Sequence, residues 1–291
     1  MSVAVFSSML ILAECILYGI GNIYLNIVLQ TMPALFCYGI RSLLAFLLFL
    51  IFFGKRIFKK IKKSHIFPCL AISCTMTLSM LLGNFSLKYA NPSIAGFLLS
   101  ISVIFSPFFS FLILRKRNCK TIIFPIFLTV TGIYFLCGGG LDFRMGIGEI
   151  SGILCSATYA MVMVLSEKYL GDIDIFTISL FQTGVGAAIS LILGSFISDI
   201  RLLSGLPASD WYILIFLAVF CTFAAFYFQN FALSHISSNF ASILFCTESV
   251  FTAMFGYVIL GDRLNRFEIC GSILILAGVI IASLRREKID L

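Results

Sequence analysis

NFSLKYANPSIAGFLLSISVIFSPFFSFLILRKR, residues 84–117, lies over NFALSHISSNFASILFCTESVFTAMFGYVILGDR, residues 230–263, without a gap. Carried on to 136 and 282, the offset of 146 gives thirteen identities in 53 positions, among them Asn84/Asn230, Phe85/Phe231, Ala95/Ala241, Arg117/Arg263 and Gly132/Gly278. Sequences of this composition would share about four by chance. An offset of 141 aligns the earlier part, placing Tyr18 over Tyr159 and Arg41 over Gln182. The chain reads as one unit written twice, and the fold depends on what lies between the copies.

What lies between them is apolar. The 291 residues are 60% apolar and carry only 20 Lys+Arg and 13 Asp+Glu, with a mean hydropathy of +1.10. Crossing about 30 Å of hydrocarbon takes about 20 apolar residues per helix. Such windows fall at 3–24, 33–53, 66–86, 93–114, 120–138, 147–167, 174–196, 210–231, 239–260 and 267–284. Turn chemistry separates them at Pro33, Asn91-Pro92, Gly138-Gly139-Gly140 and Gly205-Leu206-Pro207. This excludes a soluble core, a disordered chain, a nucleic-acid binder and a secreted disulfide scaffold, and runs unbroken for twenty residues do not alternate as barrel strands would. The first window follows no basic segment and exceeds a signal-peptide core in length, so it reads as a span. Five windows separate equivalent positions, an odd number, so the two copies must cross in opposite senses. The expected fold is all-α: ten transmembrane helices in two inverted five-helix repeats, residues 1–140 and 141–291.

Charge orients the chain. With the N-terminus in the cytoplasm, the inner segments hold Lys55, Arg56, Lys59, Lys60, Lys62, Lys63, Arg115, Lys116, Arg117, Lys120, Lys168, Arg285, Arg286 and Lys288. The outer loops hold Lys88, Arg144, Arg201, Arg263 and Arg266. The asymmetry places both termini inside, in a cell membrane of bacterial inner-membrane type. The loop after the fourth window is purely basic, whereas its counterpart balances Arg263 and Arg266 with Asp262 and Glu268. The Lys59–Lys63 run reads as orienting charge. Cys15, Cys37, Cys69, Cys74, Cys155, Cys221, Cys246 and Cys270 fall inside apolar runs and read as small packing residues.

The stretch Glu248–Val279, ESVFTAMFGYVILGDRLNRFEICGSILILAGV, resembles the closing signature of the EamA branch of the drug/metabolite transporter superfamily through Glu248, Leu260, Gly261, Arg263, Leu264, Gly271 and Gly278. In the first half Asn84, Leu87, Ala95, Pro107 and Gly132 match corresponding positions, and Tyr18-Gly19 stands where that family usually has Trp-Gly. Ser249, Asp262 and Lys116 depart from the pattern. The resemblance covers both halves and implies export of small solutes such as amino acids, other metabolites or drugs. Its motifs chiefly specify packing.

An ionised group near the bilayer centre costs about 2.5–3.5 kcal/mol on insertion scales, so each deep charge needs a reason. Three are deep: Glu14, Arg41 and Glu248. Glu14, Tyr18, Asn22 and Asn26 stand four apart and form a stripe on one helical face, as cavity lining or as interhelical glue. Arg41 pairs with Glu14 or holds a substrate carboxylate. Glu248, with Ser249 and Thr252 nearby, is a proton-carrier candidate or a packing residue. Tyr159, Gln182 and Gln229 complete the expected cavity lining from the second half, with Asn84, Asn230, Asn239 and Tyr227 as secondary candidates. His65 and His235 read as loop residues. No matched Gly/Pro pairs interrupt the windows centrally, so intact helices and a side-chain-lined site are expected.

Other chemistries lack their residues. All seven aspartates lie at window ends or in loops, against an intramembrane aspartyl protease; neither His lies in a span, against an acyltransferase. No His and carboxylate cluster or P-loop occurs, so no enzyme, metal or other cofactor is expected. The reading is a secondary transporter working by alternating access, with a small-molecule substrate, lipid as its surroundings, no nucleic-acid partner and proton coupling through Glu248. The alternatives are a membrane scaffold or sensor without transport, or a nucleotide-sugar/phosphate carrier of the same fold. The last would want several deep cations, and only Arg41 is present.

Overall fold

The computed structural model describes residues 2–90, 95, 98–115, 120–136, 146–199, 203, 205–261 and 265–287. The proposed unit boundary at 140/141, the Asn91-Pro92 and triple-glycine turns, and Lys116, Arg117, Arg144, Arg201, Asp262, Arg263, Leu264 and Lys288 lie outside them.

In lipid every backbone N–H and C=O must be satisfied within the segment, and a long apolar run achieves this as a helix. The helices are α1 Val3–Thr31, α2 Ala34–Lys60, α3 Lys63–Tyr89, α4 Leu98–Leu114, α5 Lys120–Leu136, α6 Ile147–Tyr169, α7 Ile175–Ile197, α8 Ala208–Leu233, α9 Ser238–Ile259 and α10 Arg266–Glu287. Eight are long and apolar enough to cross a membrane; α4 and α5 are shorter apolar helices, and no strand occurs among the described residues. Local chemistry sets the ends. Ser2 and Ser237 accept hydrogen bonds from Val5 N (3.3 Å) and Phe240 N (3.4 Å) at the starts of α1 and α9. At the start of α10, Asn265 N donates to Glu268 Oε2 (2.7 Å) while Glu268 N donates to Asn265 Oδ1 (2.9 Å).

Three expectations are corrected. The basic segment 54–65 is mostly helix, because α2 runs to Lys60 and α3 starts at Lys63, and His65 sits in the first turn of α3 rather than in a loop. Lysines in the last turn of α2 suit the negative end of the helix dipole, so charge there does not end the helix. Intact helices fail in α8 and α9. A π-helical turn at Val219–Ala224 splits α8, Cys246 breaks the regular winding of α9 just before Glu248, and α9 closes in a second π turn at Gly256–Leu260. Neither π turn needs a Gly/Pro pair, which is why that signal missed them. Cys74 and Cys270 are exposed rather than packed, while the other six described cysteines are buried.

The interior is largely apolar, as in a water-soluble protein, but the outside is apolar too. Phe52, Phe67, Phe196, Tyr212 and Ile147 lie on the outside, while Glu14, Arg41, Asn84, Gln182, Gln229 and Asn230 are buried. Helix α2 lies along α7 and α8, α3 along α6 and α7, α1 along α8 and α9, α4 along α6 and α9, and α5 along α10. The α5–α10 crossing is backbone-close: a Cβ on Gly132 would stand 2.7 Å from the Gly271 carbonyl oxygen and 2.8 Å from Ile275 N. Helices α4 and α9 end alike, in a left-handed residue: Arg115 (φ 55°) and Gly261 (φ 73°). They are 146 positions apart, the offset of the repeat.

Candidate functional site

Glycine 19 allows α1 to meet α9 at backbone distance, since a Cβ there would lie 2.7 Å from Phe251 Cβ and 3.0 Å from Thr252 N. That approach brings the polar stripe of α1 onto Glu248. Asn22 Nδ2 donates to Glu248 Oε1 at 2.8 Å and lies 3.4 Å from Thr252 Oγ1, whose hydroxyl donates to the Glu248 carbonyl at 2.9 Å. Glu248 and Asn22 are half-buried. Two turns earlier Glu14 is fully buried, and neither of its carboxyl oxygens has a hydrogen-bond partner. Glu14 and Glu248 lie within electrostatic reach of one another. Tyr159 of α6 lies in the field of both and packs edge-on to Phe245, with ring centroids 5.7 Å apart. Asn26, the last member of the stripe, turns away and donates to the Leu87 carbonyl of α3 at 3.3 Å.

Arg41 is 4% exposed, and no ion pair within 4 Å joins it to Glu14 or Glu248. Its guanidinium stands over the Tyr38 ring, 5.1 Å from the centroid, with one terminal nitrogen 3.8 Å from Met80 Sδ and Nε unpartnered. The buried Tyr38 hydroxyl stands near those of Ser42 and Thr77. Two groups lie within electrostatic reach of both this cation and the carboxylates. The Tyr18 hydroxyl, buried and unpartnered, feels Glu14, Arg41 and Glu248. So does Cys221, on the π turn of α8, whose thiol donates to the Leu17 carbonyl of α1 at 3.2 Å. Such π turns recur at functional sites because they offset a side chain from the helical register.

Six of the eight residues expected to line a cavity therefore gather: Glu14, Tyr18, Asn22, Arg41, Tyr159 and Glu248. The other two stand elsewhere in the hydrogen-bond pattern. Gln182 Oε1 accepts from Asn230 Nδ2 at 2.7 Å, and the same amide nitrogen lies 2.9 Å from Ser179 Oγ. Gln229 is buried with both amide atoms unpartnered. Asn84 donates to the Ala34 carbonyl at 3.3 Å, tying α3 to α2 as Asn230 ties α8 to α7. Asn239 accepts from Ser106 at 3.0 Å, and Tyr227 stacks on Phe176. Tyr38, Ser42 and Cys221 were not singled out by sequence; Tyr38, one turn before Arg41, was the available signal.

A second charged group sits at the end of the bundle where α2 finishes and α7 begins. Asp174 Oδ1 receives Lys60 Nζ at 2.6 Å and Arg56 at 2.9 Å. Burial works against its charge, but the hydrogen bonds from Lys60 and Arg56 and their positive charges outweigh it and hold the carboxyl below the usual carboxylate range. Arg56 also covers the Phe176 ring (4.6 Å), which stacks on Phe53 at 4.0 Å. The basic run thus ties two helices together.

Residues 5–138 and 146–284 match the model of the EamA-like transporter family. An "Uncharacterized transporter" of Archaeoglobus fulgidus is 27% identical over 199 residues, covering 68% of this chain and 63% of that protein. The "Uncharacterized transporter YyaM" of Bacillus subtilis is 21% identical over 202 residues, covering 68% and 66%. The matches span just under two thirds of these relatives. A crystal structure of another protein superposes with a TM-score of 0.79 at 14% identity, covering 98% of this chain and 99% of that one, a likeness of fold alone.

Proposed function

We propose, from the premise that this chain belongs to the EamA-like transporter family, that it is a secondary transporter exporting small solutes of low net charge. Ten helices in two inverted repeats alternate access to a site between α1, α2, α6, α8 and α9. One observation carries this reading. Exchanging each helix n with its counterpart five places away maps the most extensive helix contacts onto one another, though lesser ones such as α6–α9 and α5–α9 have no such counterpart among the described residues: α1–α8 becomes α6–α3, α1–α9 becomes α6–α4 and α2–α8 becomes α7–α3. The pairs α2–α7, α4–α9 and α5–α10 map onto themselves. A bundle with that two-fold relation has two equally packed ways to tilt its halves, which is the bistability alternating access requires. The shared left-handed ends at Arg115 and Gly261 support the same relation.

The chemistry sits at the meeting of the halves. Glu14, Tyr18, Asn22 and Arg41 come from one and Tyr159, Cys221 and Glu248 from the other, so rocking the halves rearranges the site. Glu248 takes a proton while the site is closed and releases it to water when the site opens, which links proton flow to solute exchange. Both termini lie in the cytoplasm, on the face that carries Arg56, Lys60 and Asp174. Uptake assays on reconstituted liposomes, against amino acids, nucleobases and cationic dyes, test the function. Saturable movement of at least one solute is expected; no movement of any, with the protein folded, would leave a scaffold.

A further inference from the structure

Helices α6 and α9 are fastened together at the end of the bundle that also carries Asp174. Glu167, in the last turn of α6, accepts two hydrogen bonds through Oε2 from Ser238, the first residue of α9: 2.7 Å from the backbone N–H and 2.6 Å from the hydroxyl. Both are charge-assisted, and the carboxylate sits at the positive end of the α9 dipole. The seam continues inward. Ser238, Ser242 and Phe245 share one face of α9, Phe245 meets Tyr159 of α6 edge-on at 5.7 Å, and every residue of Ser238–Phe245 is buried. At the same end Phe6 of α1 packs edge-on against Phe231 of α8, with ring centroids 5.5 Å apart.

The other half lacks the groups to repeat this fastening. The repeat places Asn26 where α6 has Glu167, and Pro92 where α9 has Ser238. Proline has neither an N–H nor a hydroxyl to donate, and Asn26 gives its amide to the Leu87 carbonyl of α3. Burial follows the same asymmetry. Phe245, Cys246 and Thr247 are buried, whereas Leu99, Ser100 and Ile101, 146 positions earlier, are half-buried.

We infer that Glu167 is a latch that holds the α6–α9 end shut, so that the carrier rests closed at this end and opens it when the Ser238 bonds break. This rests on the transport reading above and adds to it the residue that decides which end is closed. The two tilts of the halves, alike in packing, differ in free energy by the latch, and the population shifts toward the latched one.

The test uses the full-length purified protein with Ser242→Cys as reporter, since Ser242 is fully buried, close to cysteine in size and one turn inside Ser238. Modification by N-ethylmaleimide is timed and located by peptide mass spectrometry, with the native, buried Cys37 as an internal check on the fold. Ser238→Pro copies the other half. It removes both donors at the first position of α9, where proline suits a helix, and follows Ser237, whose extended backbone is what a residue before proline adopts. Glu167→Ala removes the acceptor and leaves the Ser237 cap on Phe240 N in place. Each should speed modification of the reporter by about tenfold or more, the factor that one charge-assisted hydrogen bond corresponds to, while Cys37 stays protected. Ser238→Ala, which keeps the backbone donor, should fall between. A reporter rate unchanged by both Ser238→Pro and Glu167→Ala would overturn the latch. So would Cys37 rising in step with the reporter, which would make the contact a plain support of the fold. Solute movement in liposomes is scored separately: if none occurs, the transport reading falls while faster labelling still shows this end opening, and if it occurs with labelling unchanged, only the latch falls.

Discussion

Glu248 and Asp174 are the two carboxylates whose neighbours allow separate predictions. Glu248 is bonded through one oxygen to Asn22, and a glutamine at 248 keeps that acceptor while removing the titrating group. Glu248→Gln should therefore fold, lose accumulation driven by a pH gradient, and retain solute exchange at zero gradient; normal accumulation would make Glu248 structural and move the role to Glu14. Asp174 differs because its partners are fixed cations. Its carboxyl titrates below the usual range in the folded chain, so its stabilising effect is complete above about pH 4, the ordinary aspartate value, and fades as pH falls through the lower folded value. Arg56 and Lys60 are half exposed, which limits the effect to about 1 kcal/mol or less. Thermal unfolding of Asp174→Asn should lie below the parent at pH 5–8, with the gap closing below pH 4. A gap that widens on acidification would contradict the assignment. The sequence put Lys60 and Arg56 in a basic segment between two apolar windows but not on Asp174, 114 and 118 positions away, because only packing of α2 on α7 makes them neighbours.

At the level of helices, the α5–α10 crossing separates what the repeat shares from what it does not. Gly132 and Gly278 match across the halves, yet a Cβ at 132 meets backbone at 2.7 and 2.8 Å while one at 278 meets the Thr129 hydroxyl at 3.0 Å and the Pro125 carbonyl at 3.1 Å. Contacts to backbone under 3.0 Å force the two helices apart, whereas contacts at 3.0–3.1 Å are relieved by a shift of a few tenths of an ångström. Gly132→Ala should lower the unfolding temperature more than Gly278→Ala, by the equivalent of about 1–3 kcal/mol against less than about 1; equal losses would mean the crossing is looser than described. The ten apolar windows were legible because lipid demands them, and their limits agree with the helices to within about seven residues. The ends that drifted furthest, at Thr31 and Lys60, lie where hydropathy stops but nothing stops a helix. The π turn at Val219–Ala224 was illegible for the opposite reason, since no residue in VFCTFA announces it. The turn lies against α1 and α2.

For the molecule as a whole, the deep charges were readable because polar residues are so rare in this chain, and the stripe Glu14, Tyr18, Asn22 pointed to one face of α1. Their grouping was not, since it joins α1 to residues more than 200 positions away. As the proposed binding place shared by two rocking halves, this grouping differs from a pore open at both ends. Trans-stimulation measures that difference. Liposomes loaded with the solute found to move should take up labelled solute faster than empty ones, with a transient overshoot, and Arg41→Gln should cut that flux about tenfold or more. Flux that rises linearly with concentration, is indifferent to solute on the far side, and survives Arg41→Gln would contradict alternating access through this site.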